Sequence, residues 1–119
     1  MPRSLKIAAV QMFAQLAPVA DRLERADSLI AEAASSGAQL VVLPEVFNTG
    51  YEYSRENYAL AEPIEGRTVR WMKRMAATHQ IHLAGTLYLR DEEDIYNALI
   101  LVAPDGQLWR YNKNYPWYM

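Results

Sequence analysis

Apolar positions follow two rhythms along the chain, one of strands and one of helices. Leu5–Val10 (Leu-Lys-Ile-Ala-Ala-Val) is a short apolar run that predicts a buried strand. Pro18 suits the first turn of a helix, where its missing N–H costs nothing. Val19, Leu23, Ala26, Ile30 and Ala33 then recur at spacings of 4, 3, 4 and 3, one face of an amphipathic helix. Asp21, Arg22, Glu24, Arg25, Asp27 and Glu32 fall mostly on the opposite face. Gly37 fits the left-handed position that ends such a helix. Gln39–Leu43 predicts a second strand, stopped by Pro44. Strand, helix and strand with short connections make a βαβ unit, so the two strands are expected to be parallel neighbours.

The pattern is weaker over Phe47–Ala61, which is rich in Tyr and Asn and contains Gly50. It reads as a long loop with one helical turn, and long loops after strands are frequent places for sites. Thr68 is expected to cap a second helix, whose stripe is Val69, Met72, Ala76 and His79. Ile81–Leu89 predicts a third strand, and Gly85 within it suggests close approach of another backbone. Arg90–Asp94 reads as a turn, Tyr96–Val102 as a fourth strand and Gln107–Tyr111 as a fifth. The Pro104-Asp105-Gly106 turn makes the last two an antiparallel hairpin. The expected class is α/β: a mixed sheet with helices on one face, whose other face needs cover such as a second sheet. Tyr115, Trp117 and Tyr118 suggest that the C-terminal end also packs inside something.

Composition narrows the function classes. The chain has 119 residues, which suits one modest domain or part of a larger one. A 51% hydrophobic content supplies a core and argues against disorder. A net charge of −2 without a basic patch argues against nucleic acid. The mixed-sign cluster Arg90-Asp91-Glu92-Glu93-Asp94 reads as a solvated loop. No stretch reaches the ~18 consecutive apolar residues of a membrane span. The N-terminus lacks the longer apolar run and small-residue site of a secretory signal, so a cytoplasmic location is expected. The cysteine count is zero, which excludes disulfides, thiolate metal sites and a cysteine nucleophile within these residues. His79 and His82 read as packed or hydrogen-bonded, and without cysteine a conventional zinc site is not expected. No glycine-rich phosphate loop is present.

Two residues stand where chemistry is expected. Glu45 follows Leu-Val-Val-Leu-Pro, just past the C-terminal end of a parallel strand, where open α/β sheets place their sites. Apolar walls there suit a general base. Lys113 lies just past the fifth strand, flanked by aromatics and with no acidic neighbour in sequence. Such a lysine can meet a developing oxyanion. Each also has a plainer reading, an ion-paired glutamate at a loop start and a surface lysine. Tyr51 and Asn48 follow Glu45 and are candidates to line a substrate pocket or simply to pack the loop. Asn97 is expected to make structural hydrogen bonds, and Trp71, Met72 and Met75 to be core or interface material.

Taken together these motifs resemble the nitrilase superfamily of carbon–nitrogen hydrolases. Lys6-Ile7-Ala8-Ala9-Val10-Gln11 resembles its opening strand. Leu43-Pro44-Glu45 with Phe47 and Gly50-Tyr51 resembles its first catalytic motif, Tyr96-Asn97-Ala98 its Y-N strand, and Tyr111-Asn112-Lys113 its second catalytic motif. The order and spacing match over nearly the whole chain. The resemblance implies the N-terminal part of an αββα four-layer sandwich, spanning residues 1–119 and ending before the nucleophile. It implies a Glu–Lys–Cys mechanism with Glu45 as general base and Lys113 as oxyanion stabiliser. The cysteine comes later in the family's order, in a strand-to-helix turn, so these residues alone are expected to be inactive. The substrates implied are a small amide, a carbamoyl amine or a nitrile, with no metal or organic cofactor, and the full-length form is expected to be a homo-oligomer.

Asn112 departs from the family's usual arginine, and Thr86-Leu87 follows Gly85 where many members carry a glutamate nearby. Pro116-Trp117 is similar to the aliphatic amidase and formamidase branches. Two other readings stand beside this one. One is a non-catalytic short form that binds a ligand or a partner subunit, and the other is an unrelated α/β binding domain.

Overall fold

In a computed structural model, which describes residues 3–52 and 54–113, the βαβ unit forms as its pattern requires. Strand β1 (Ile7–Ala9) leads through helix α1 (Val19–Ser35) to β2 (Leu40–Val42). The two strands pair in parallel, Ile7 beside Leu40 and Ala9 beside Val42. Leu23, Ala26 and Ile30 of the α1 stripe are buried. Gly37, at φ 92, turns the chain out of the helix. Pro18 is the N-cap residue of α1, one position before the first helical turn proper.

The predicted loop after β2 does contain one helical turn, α2 (Arg55–Tyr58), capped by Ser54, whose hydroxyl accepts from the Asn57 N–H. Helix α3 (Arg67–His79) then leads to the long strand β3 (His82–Asp91). Thr68 does not cap α3; the N-cap residue is Gly66. Thr68 lies inside the first turn, and the Glu62 carboxylate reaches back to its N–H at 2.8 Å and its hydroxyl at 2.6 Å. A carboxylate at a helix N-terminus meets both an orphan donor and the positive end of the dipole.

Strand β3 pairs in parallel with β2 and antiparallel with β4 (Asp94–Val102). Strand β5 (Leu108–Asn112) closes the predicted hairpin with β4. The sheet order is therefore β1-β2-β3-β4-β5. The β3–β4 turn is tighter than Arg90–Asp94, because Asp91 and Asp94 already pair and Glu92 takes a left-handed φ of 57.

Alternation along the strands divides the sheet into two faces. Val41, Leu83, Leu87, Ile100 and Val102 join residues of α1 and α3 in one buried core. The opposite face carries Ile7 (55% exposed), Leu99 (39%), Trp109 (49%) and Tyr111 (55%). This is the face that a sheet with helices on one side is expected to leave in need of cover. Gly85 faces the core, and what approaches it is a side chain and not a backbone. A Cβ there would stand 2.8 Å from the Phe47 ring. Phe47 is fully buried, stacked obliquely on Trp71 with ring centroids 5.8 Å apart. The aromatic cluster expected at Tyr115, Trp117 and Tyr118 lies outside the described residues.

Candidate active site

Glu45 stands on the turn that leaves the end of β2. The turn is unusual at the next residue. Val46 has φ 45, a left-handed conformation that a β-branched residue rarely adopts. Four hydrogen bonds fix it there. The Thr86 hydroxyl accepts from the Val46 N–H at 2.8 Å. The Val46 carbonyl accepts from the backbone N–H groups of Thr49 (3.2 Å) and Gly50 (3.0 Å). One residue on, the Phe47 carbonyl accepts from Arg22 Nε at 2.7 Å.

Arg22 is the residue of α1 that a reading by charge misplaces. Its position, three residues after Val19 and four before Ala26, puts this charged residue at the edge of the stripe, and it is only 6% exposed. Its guanidinium donates to Phe47 O and also to Phe13 O (2.8 Å) and Gln15 O (3.0 Å). The planar fork of donors satisfies three carbonyls at once, which is what permits the burial. Desolvation lowers its pKa from the ordinary arginine value.

Glu45 and Lys113 are 68 residues apart in sequence, and the fold brings them together: Lys113 Nζ lies 3.5 Å from Glu45 Oε2. About a third of each side chain remains exposed, 38% and 35%. A long, partly exposed pair of this kind contributes little to stability. Asn97 Nδ2 donates to the same Oε2 at 3.1 Å. The Asn97 carbonyl accepts from the Lys113 N–H at 2.9 Å, extending the β4–β5 ladder by one rung. Among the described residues, Oε1 of Glu45 receives no hydrogen bond.

Tyr88, opposite Asn97 across the β3–β4 ladder, is buried beside this cluster. Burial, reinforced by Tyr58, Glu45 and Tyr51 nearby, pushes its hydroxyl up to about 12. Its ring meets Tyr58 edge-on at 4.9 Å. Tyr51 is thus close to the cluster and remains 43% exposed. Asn48 is elsewhere. It is 1% exposed, and its amide donates to Thr68 Oγ1 (3.1 Å) and Glu62 Oε2 (3.3 Å). It braces the loop against the start of α3.

Among the described residues no group of three or more His, Asp or Glu is placed to hold a metal ion. A groove of about 480 Å³ runs along the β1 edge beneath α1, lined by Lys6, Val10, Leu29, Glu32 and Ser36 among others. It contains neither Glu45 nor Lys113.

The fold thus gathers a carboxylate, an ammonium and an amide at one end of the mixed sheet. The model of the carbon–nitrogen hydrolase family matches residues 6–118. The chain belongs to the carbon–nitrogen hydrolase family. It is 34% identical over 117 residues to a nitrilase of Pyrococcus abyssi, covering 96% of this chain and 45% of that protein. It is 35% identical over 109 residues to omega-amidase NIT2 of Homo sapiens, covering 88% and 38%. A crystal structure of XC1258 from Xanthomonas campestris, a carbon–nitrogen hydrolase with an arsenic adduct in its active site, superposes with a TM-score of 0.86. That match has 32% identity over 96% of this chain and 42% of the other. The chain thus spans less than half the length of the relatives it matches. This carbon–nitrogen hydrolase sequence covers the layer that carries Glu45, Asn97 and Lys113.

Proposed function

We propose that the chain supplies the base and the cation of a carbon–nitrogen hydrolase acting on a small amide, carbamoyl amine or nitrile. The nucleophile is a cysteine thiol from sequence beyond these 119 residues. The reading is carried by one observation: Glu45 Oε2 lies 3.5 Å from Lys113 Nζ where β2 ends. The nitrilase and omega-amidase names of the relatives support the substrate class.

The amide reaction then runs as follows from these groups. Glu45 takes the thiol proton, and the thiolate sulfur forms a bond to the carbonyl carbon. The carbonyl electrons move onto oxygen, and the Lys113 ammonium meets that charge. The C–N bond breaks as Glu45 returns the proton to the leaving nitrogen, which departs as ammonia or an amine. Glu45 next takes a proton from water. The hydroxide attacks the thioester carbon, the carboxylic acid leaves, and the thiol is regenerated.

The test is ammonia or amine release by the protein of the complete reading frame, against amides, carbamoyl amines and nitriles. Glu45→Gln is expected to lower kcat by about 10²–10⁴-fold with the fold retained. Lys113→Ala is expected to lower it by about 10²–10³-fold. Near-normal turnover in either variant removes the role assigned to that residue. The 119 residues alone are expected to release no ammonia, since they contain no cysteine. The second reading is a non-catalytic short form that binds a ligand or partner. A stop codon directly after Met119 would select it.

A further inference from the structure

Resting on the hydrolase reading of Glu45 and Lys113, we propose that Asn97 is the positioning residue that sets the Glu45 carboxylate for proton transfer and registers Lys113 against it. Asn97 acts through its side chain on one partner and through its backbone on the other. Nδ2 donates to Glu45 Oε2 at 3.1 Å, and the carbonyl accepts the Lys113 N–H at 2.9 Å. The side-chain orientation is fixed by chemistry, because turning the amide over would set Oδ1 against a carboxylate oxygen. Lys113 Nζ approaches the same Oε2. Among the described residues both donors therefore load one oxygen, and Oε1 is the atom that takes and returns the proton.

The strand itself argues that this asparagine is not present for stability. Its neighbours on the same face of β4 are Ile95, Leu99 and Leu101. Asparagine is a poor strand former. Its Oδ1 is buried and, among the described residues, has no hydrogen-bond partner, a state that costs stability. A leucine at position 97 would extend the apolar stripe and remove that orphan acceptor. What a leucine cannot do is donate to Glu45.

Three measurements on the protein of the complete reading frame test this. Asn97→Leu is expected to keep or raise Tm while lowering kcat by about 10- to 100-fold, the scale of a misplaced catalytic group, with KM within about twofold. Asn97→Asp, of the same size but with a carboxylate against Glu45, is expected to lower kcat further. One Asn97 side-chain amide proton is expected to be shifted downfield by its charged acceptor, and Glu45→Gln is expected to move it back. An unchanged kcat in Asn97→Leu overturns the proposal, as does a fall in Tm with kcat per folded molecule preserved. A wild-type protein that hydrolyses no amide or nitrile sinks the hydrolase reading. The amide resonance then decides separately: movement on Glu45→Gln supports the positioning contact, and no movement overturns it.

Discussion

Val46 and Tyr88 show what surrounds Glu45 at the scale of single residues. A left-handed valine costs on the order of 1–3 kcal/mol, and it persists here because its N–H and carbonyl are both held. Thr86→Val keeps the side-chain shape and removes the acceptor at 2.8 Å from the Val46 N–H. It is expected to destabilise the protein by about 1–3 kcal/mol, read from the denaturant midpoint. Tyr88 makes a prediction about pH. Its hydroxyl, raised from 10.0 to about 12 mainly by burial, stays protonated in the fold to higher pH than in the unfolded chain. Between those values the unfolded chain has lost the proton and the folded one has not, so stability falls as pH rises. The contribution is intact below pH 10 and lost by about pH 12. Tyr88→Phe is expected to flatten this part of the stability profile; an unchanged slope would place the hydroxyl in water.

Elements were legible in the sequence where a period governed them, and illegible where a single side chain overrode the period. The α1 stripe of Leu23, Ala26 and Ile30 is buried as its spacing predicts, and the βαβ unit pairs in parallel. Arg22 sits at the edge of that stripe, but a charge is accommodated there only because the Phe13, Gln15 and Phe47 carbonyls are brought together by tertiary folding. No local pattern announces that. Thr68 is not the cap for a similar reason: α3 begins at Arg67, and Glu62, six residues before Thr68, accepts from both its N–H and its hydroxyl. Glu45 and Lys113 were readable as strand-end residues. Asn97, a polar residue within an apolar β4 face, makes the hydrogen bonds expected of it, but its partners Glu45 and Lys113 are brought to it only by the fold. Arg22→Met is expected to leave the three carbonyls without partners and to destabilise by roughly 2–4 kcal/mol, and Arg22→Lys to fail nearly as badly because one ammonium cannot span the fork. Thermal melts of both variants check this, and a lysine variant as stable as wild type would show that charge alone suffices.

At the scale of the whole molecule, the two long helices α1 and α3 pack on one side of the sheet, and the consequence concerns solubility and not chemistry. Ile7, Leu99, Trp109 and Tyr111 lie on the face that α1 and α3 leave open. Contiguous apolar surface of this kind seeks a cover, and in the isolated 119 residues the cover at hand is another copy. These residues expressed alone are therefore expected to sediment as dimers or larger species at micromolar concentration. Since this face contributes little to the buried core, charged side chains there should be tolerated by the fold. The double substitution Leu99→Lys and Trp109→Lys is expected to shift the sedimentation distribution to monomer while leaving the far-ultraviolet circular dichroism unchanged. A double variant that is monomeric but unfolded would mean that self-association supplies part of the folding free energy. A wild-type chain that is already monomeric would mean that the open face is covered from within, by residues other than those of β1–β5.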